Sequence, residues 1–232
     1  MKDKTPKHLV VIPDGNRRWA KEKGLAATAG HVKAGAYENL YPLLDECKNL
    51  GIEYVSLWGF STDNWKRDKK EVNKILNVIE KGLDRMMREA EKEKYKVRHL
   101  GKKDRLPKKM SEKLSKIEES TKENKGVCIL LCIDYGGRDE IVRAVNKIMK
   151  EAGHLGDIKE NTFSNYLDTK GVPDPELIIR TGGEKRLSGF MPFQSVYSEI
   201  YFIDKYFPDF IRDDLREAVE WFKERKRRFG GD

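Results

Sequence analysis

The chain has 232 residues, of which 38% are hydrophobic and 37% charged, a size that fits one domain able to bury a substantial core. No apolar run approaches the roughly 18 residues of a membrane helix, and the first residues, Met1 to Lys7, lack the apolar stretch of a secretory signal, so a soluble cytoplasmic protein is expected. A net charge of +8 suits an anionic partner without choosing among a phosphorylated small molecule, nucleic acid or a membrane surface.

Short β-rich apolar runs alternate with longer helical patterns. In chain order, His8–Ile12 reads as a first strand, a helix is expected over about 31–50, and Tyr54–Phe60 reads as a second strand. A helix over 69–93, a strand at Tyr95–Leu100, a helix over 107–124 and a strand at Val127–Ile133 follow. Helices over 138–152 and 161–169, strands at Leu177–Arg180 and Glu199–Phe202, and a closing helix over 212–228 complete the pattern. This alternation predicts a single α/β domain with a mostly parallel central sheet flanked by helices. The cysteines, Cys47, Cys128 and Cys132, lie in apolar stretches and read as buried thiols.

Ligands of such sheets bind outside the carboxyl ends of the strands, where loop and helix amides are free. Asp14-Gly15-Asn16-Arg17-Arg18-Trp19 follows the first strand and brings a carboxylate suited to Mg²⁺ together with guanidinium groups suited to phosphate. The alternative for this segment is an Asp-Gly turn with a solvated arginine pair. Arg180-Thr181-Gly182-Gly183-Glu184-Lys185-Arg186-Leu187-Ser188 repeats the chemistry at another strand end. An arginine that closes an apolar strand is costly to bury without an anion. Neither a Gly-x4-Gly-Lys-Ser/Thr phosphate loop nor a dinucleotide glycine fingerprint is present, nor the Asp-Asp-x-x-Asp pattern of trans-type prenyl synthases.

Taken together, DGNRRWA at 14–20, GFSTDNW at 59–65, DYGGRDEI at 134–141, RTGGEKRLS at 180–188 and YSEIYF at 197–202 resemble the cis-prenyltransferase (undecaprenyl diphosphate synthase) family over almost the whole chain. The resemblance implies a Mg²⁺-dependent enzyme that condenses an allylic prenyl diphosphate with isopentenyl diphosphate, with a hydrophobic tunnel for the growing tail. It implies metal coordination by Asp14 and Glu199, and catalysis by Asp14 and by Asn64, the latter in proton removal. Gly15, Asn16, Arg17, Arg18, Trp19 and His31 would contact the allylic diphosphate. Phe60, Ser61, Trp65 and Arg67 would shape substrate placement. Arg180, Arg186 and Ser188 would grip isopentenyl diphosphate, and Arg228 and Gly230 form a terminal element that reaches a diphosphate across a homodimer. The helix from Val72 to Met87 and the strand Ile129–Ile133 would wall the tunnel, with Ile129 as a candidate for its floor. Membrane contact would be at most transient, through the lipid product.

The chain departs from the family pattern in two places. Ala27 stands near a position where an arginine that grips the allylic diphosphate is usual. Asp134 replaces a common asparagine, and Pro13 a common methionine. A short allylic substrate and an altered acceptor are the expected consequences. Asp14→Ala is expected to reduce turnover far more than stability. A non-catalytic partner subunit is the rival reading, weakened by retention of Asp14, Asn64, Arg180 and Arg186. A nucleic-acid binder is not expected, since no recognition helix, zinc knuckle or RNA-binding signature is found.

Overall fold

The computed structural model describes residues 5–151 and 157–227. Six strands form one sheet: β1 (His8–Ile12), β2 (Tyr54–Ser61), β3 (Lys96–Leu100), β4 (Cys128–Tyr135), β5 (Leu177–Arg180) and β6 (Glu199–Phe202). Their order is β3-β4-β2-β1-β5-β6, and every pairing is parallel. The sheet is thus wholly rather than mostly parallel. Because β2 lies on one side of β1 and β5 on the other, the strand order reverses at β1, and the loops after β1 and β5 diverge there to leave a crevice.

The strands are apolar along both faces because helices cover both. Leu9, Val11, Ile129, Leu131 and Ile133 face one core. Their sequence neighbours Val10, Ile12, Leu130 and Cys132 face the other, as the two-residue period of a strand requires. The larger core is covered by α3 (Tyr37–Asn49), α4 (Lys69–Glu93), α5 (Lys108–Thr121) and α8 (Arg212–Lys223). α4 sends Val72, Ile75, Leu76, Leu83 and Met86 inward, a stripe at helical spacing. Its start is capped by Asp68, which accepts from the amides of Lys70 and Glu71. α6 (Gly137–Glu151) and the short α7 (Glu160–Ser164) complete the element set.

The helix expected over 31–50 is two helices, α2 (Ala27–Ala34) and α3, broken at Gly35-Ala36 where Ala36 is extended. Gly35 passes so close to α4 that a Cβ would come within 3.0 Å of Val78. A further helix, α1 (Asn16–Glu22), has no side-chain cap and begins after Gly15 at φ 91°, so it lacks the usual sequence signature of a helix start. The helix expected over 161–169 stops at Ser164, and the closing helix at Lys223.

Leu114, fully buried on α5, lines neither the polar nor the apolar cavity described below. Leu114→Ala should lower unfolding free energy by about 2–5 kcal/mol, read as a reduced urea midpoint, while leaving the activity of the folded fraction unchanged.

Candidate active site

The crevice at the reversal of strand order holds a polar cavity of about 490 Å³. Asp14 and Arg180 face each other across it, since Ile12 is level with Arg180 in the β1–β5 pairing. Arg180 Nη2 donates to Asp14 Oδ2 at 2.8 Å, and Arg180 Nη1 donates to Ser188 Oγ at 2.8 Å and to the Arg186 carbonyl. Asp14 Oδ1 accepts from the Gly15 amide at 2.6 Å, with Arg18 Nη2 at 3.4 Å. The Thr181 hydroxyl accepts from the Asp14 amide at 2.9 Å and donates to the Asp14 carbonyl at 2.8 Å. Burial pushes the Asp14 carboxyl up, but the bonds from Arg180 and the Gly15 amide, with the charge of Arg18, outweigh it and hold the group below its usual range.

Gly15 is required where it stands. At φ 91° a side chain is strained, and a Cβ would collide with Tyr206. Arg18 lies over that Tyr206 ring at 5.4 Å and has Glu184 Oε1 3.5 Å away. On the opposite wall, Arg67 meets Glu71 at 3.1 Å and Arg17 meets the same carboxylate at 3.7 Å. Ser61 and Asn64 close a 3-10 turn over Thr62–Lys66, with the Ser61 amide donating to Asn64 Oδ1 at 3.0 Å.

Asn16 Oδ1, His31 Nε2 and Arg180 Nε are buried without a hydrogen-bond partner among the described residues, and all three residues line the polar cavity. A cluster of orphaned polar atoms around one hollow is the mark of a ligand that completes them. Burial, reinforced by the charge of Arg67 against the opposing pull of Glu71, lowers the His31 pKa from 6.5 to about 4, so the ring is neutral near pH 7.

A second cavity, about 510 Å³, adjoins the first. Pro13, Asn16, His31, Trp58, Gly59 and Ile75 belong to both walls. Beyond them the lining is largely apolar: Leu40, Leu57, Ile79, Leu83, Met86, Leu131 and Ile133, with Tyr37 and Tyr41. Along α4 the chamber extends from Ile75 to Met86, roughly 16 Å at the helical rise. Leu131 and Ile133 supply the sheet wall. Ile129, expected as a candidate for the tunnel floor, does not line the chamber: it lies on the same face nearer the amino end of β4, fully buried in the core.

Of the residues expected at the site, Asp14, Gly15, Asn16, Arg17, Arg18, His31, Ser61, Asn64, Arg67, Arg180 and Ser188 line the polar cavity. Trp19, Phe60, Trp65 and Arg186 do not. Trp19 is buried in its helix packing, and Phe60 is buried with Trp65 edge-on at 5.2 Å. Arg186 is 59% exposed and pairs with Glu184; its backbone carbonyl accepts from Arg180. Glu199 opens β6 level with Leu177, three residues below Arg180, about 10 Å toward the opposite end of the sheet. Its carboxylate lies 3.6 Å from Arg225, so within one chain it does not join Asp14. Arg228 and Gly230 lie outside the described residues. Thr181, Glu71, Trp58 and Tyr206 were missed as site residues. Thr181 could have been inferred from its place in the Arg180–Ser188 segment, whereas the others come from elements whose approach is tertiary.

Asp134 presents no charge to the cavity. It is fully buried at φ 52°, where Arg105 binds both carboxylate oxygens and Trp65 Nε1 donates at 2.8 Å.

A hollow lined by arginines that shares a wall with an apolar chamber suits a ligand with an anionic head and a hydrocarbon tail. The family model described as "Putative undecaprenyl diphosphate synthase" matches residues 12–230. An isoprenyl transferase of Thermotoga maritima is 44% identical over 97% of each chain. One of Aquifex aeolicus is 39% identical over 98% of this chain and 96% of its own. Among solved structures, lavandulyl diphosphate synthase from Lavandula x intermedia in complex with dimethylallyl diphosphate matches with a TM-score of 0.94 at 35% identity, covering 99% of this chain and 100% of the other. A probable undecaprenyl diphosphate synthase from Campylobacter jejuni gives 0.82 at 33% identity, over 97% and 98%. The chain therefore belongs to the undecaprenyl diphosphate synthase family of prenyltransferases, and it is an enzyme of that class. The curated relatives are themselves named as transferases, so the partner-subunit alternative has no support.

Two outcomes test this geometry. Because folding lowers the His31 pKa from 6.5 to about 4, the unfolded chain binds more protons in that window; the contribution to stability is complete above pH 6.5 and is lost as pH falls toward 4. An NMR titration of His31 should show a neutral ring down to about pH 4, and inorganic pyrophosphate should raise its pKa by favouring the charged form. Arg105→Ala strands the buried Asp134 carboxylate and should lower stability by about 3 kcal/mol in urea unfolding.

Proposed function

We propose that the polar cavity holds two diphosphates, an allylic one at the Asp14–Arg18 loop and isopentenyl diphosphate at Arg180 and Ser188, while the allylic tail enters the apolar chamber as a tunnel. The observation that carries this reading is the shared wall of the two cavities, which would let an anionic head and its tail meet suitable surfaces at once. Arginines are suited to phosphate because the guanidinium presents a planar fork of donors. Four of them, Arg17, Arg18, Arg67 and Arg180, line the cavity. Arg67 and Arg17 replace part of the positive charge that Ala27 does not supply.

The reaction breaks the allylic carbon–oxygen bond, forms a bond to the terminal alkene carbon of isopentenyl diphosphate, and releases diphosphate and a proton. The residues must therefore stabilise negative charge on the leaving diphosphate, and pre-aimed donors do so without reorganising. Asp14 suits Mg²⁺: its carboxylate is ionised, only partly covered, and stands where phosphates would meet it. No cluster of three metal-binding side chains occurs among the described residues, which fits an ion held by one or two carboxylates and substrate phosphates rather than by a protein cage. Bound there, Mg²⁺ would neutralise the leaving diphosphate. Asn64, held by Ser61 on the cavity wall, would assist proton removal by orienting the substrate through its amide, the released diphosphate being the base that accepts the proton. The apolar chamber keeps water from the developing allylic cation.

A short allylic substrate is favoured, since the lavandulyl diphosphate synthase that this chain resembles was solved with dimethylallyl diphosphate. A homodimer is the expected assembly, and Glu199, which does not reach Asp14 within one chain, would then act at the dimeric site.

Asp14→Ala would leave the Arg180 guanidinium, only 5% exposed, without its carboxylate, so it would weaken the fold as well as the chemistry. Asp14→Asn removes the charge and keeps one acceptor, but its amide must face either the Gly15 amide or Arg180 with a donor, so it too loosens the Arg180 pair. It should lower kcat about 10²–10³-fold per folded molecule and lower the melting temperature less than Asp14→Ala does. The assay is condensation of labelled isopentenyl diphosphate with dimethylallyl or farnesyl diphosphate and Mg²⁺, products being resolved by mass. Wild-type protein that yields no prenyl product would overturn the reading.

A further inference from the structure

The DYGGRDEI segment lines neither cavity, yet it touches both halves of the candidate site. Gly136 lies against Thr62, where a Cβ would overlap the hydroxyl and come within 3.3 Å of the methyl group. Thr62 opens the 3-10 turn that carries Asn64. The next residue, Gly137, lies against the far side of the site: its amide donates to the Gly189 carbonyl at 2.9 Å. A Cβ there would overlap Pro192 and stand 2.8 Å from the Gly189 carbonyl oxygen. That loop carries Ser188 and is held in a tense form, because Ser188 at φ 53° and Met191 at φ 45° are non-glycine residues in the left-handed region.

The glycine pair cannot yield, since its flanks are immobilised. Glu140, 1% exposed, accepts from Tyr135 Oη at 2.7 Å, from Gln194 Nε2 at 3.0 Å and from the Asp168 amide at 2.8 Å. Three donors on two oxygens require a carboxylate, because an amide would turn its own donors toward one of them. Phe190 is fully buried between Trp58 at 4.7 Å and Tyr135 at 5.3 Å. An atom added at Gly136 must therefore push the Thr62 side chain, and with it the turn that carries it, while one added at Gly137 must displace the 189–192 loop.

We propose that Gly136 and Gly137 are positioning residues, which set the Asn64 turn on one side and the Ser188 loop on the other at the separation the reaction needs. This rests on the reading of Asn64 and Ser188 given under Proposed function. The absence of side chains is the functional property: each glycine lets one catalytic segment approach a rigid floor more closely than any other residue allows.

The test compares Gly136→Ala, Gly137→Ala and the double variant Gly136→Ala/Thr62→Ala in steady-state kinetics. Displacements of this size cost on the order of tenfold or more when they move reacting groups. Gly137→Ala should raise KM for isopentenyl diphosphate on the order of tenfold with kcat nearly unchanged. Gly136→Ala should lower kcat by a similar factor with KM retained, and removing the Thr62 side chain should restore it. Wild-type kinetics in both folded single variants, or parallel loss of kcat, KM and urea midpoint without rescue, would overturn the proposal. Calorimetric binding of inorganic pyrophosphate reads the same loop without turnover: it should weaken in Gly137→Ala and not in Gly136→Ala, and equal binding by both would overturn the proposal. A wild-type protein that binds pyrophosphate but forms no prenyl product would instead count against the proposed reaction alone.

Discussion

Arg180 sits at the carboxyl end of a strand buried on both faces, and a guanidinium in that position must find anions or acceptors for its donors. It finds Asp14 across the β1–β5 junction, Ser188 and the Arg186 carbonyl on its own loop. The loop after β1 and the loop after β5 are thereby tied together at the point where the strand order reverses. The pair is incomplete by design of its surroundings: Arg180 Nε, Asn16 Oδ1 and His31 Nε2 remain without partners among the described residues. A buried ion pair contributes little net stability after desolvation. Its value is orientation, with a carboxylate and a guanidinium held at the wall of one polar cavity, where the proposed diphosphates would meet them.

The second constraint is the contact between unlike media. The polar cavity is walled by arginines from α1 and from the turn before α4, while the adjoining chamber is walled by α3, α4 and the middle of the sheet. Parallel topology makes this possible, because all strands end at the same edge and their apolar side chains lie directly beneath it. The break between α2 and α3 at Gly35 contributes by letting the chain turn close beside Val78, so that His31 reaches the head cavity while Tyr37 and Leu40 line the chamber. Neutral His31 is then the hinge between the two environments.

Much of this was legible from the residues. All six strands were read within two residues of their observed ends, because doubly covered parallel strands are continuous apolar runs with β-branched enrichment. The segments carrying Asp14, Asn64, Arg180 and Ser188 were expected at the carboxyl edge of the sheet, and the four residues line one cavity there, since strand-to-helix loops of a parallel sheet share an edge. α1 was not legible, for it starts on a left-handed glycine without a cap. The break at Gly35-Ala36 was hidden within an otherwise helical pattern. Asp134 looked like an unwelcome charge near phosphate until Arg105, from the loop before α5, was seen to bind it. Trp65 and Phe60, neighbours of Asn64 in sequence, turn instead to each other and to Asp134.

The sequence by itself determined the strand and helix alternation, the chemistry available at each strand end, and the family. Those features depend on local periodicity and on residue type, which a single chain displays directly. Tertiary structure alone decided which charges line the polar cavity and which are paired away from it, that Glu199 lies too far toward the other end of the sheet to join Asp14 within one chain, and that Leu131 and Ile133 rather than Ile129 line the chamber. It also decided that the glycine pair at 136–137 is a wedge between two site segments. Such outcomes depend on which side chains meet across distances of tens to hundreds of residues, and that is set by packing, to which periodicity is blind.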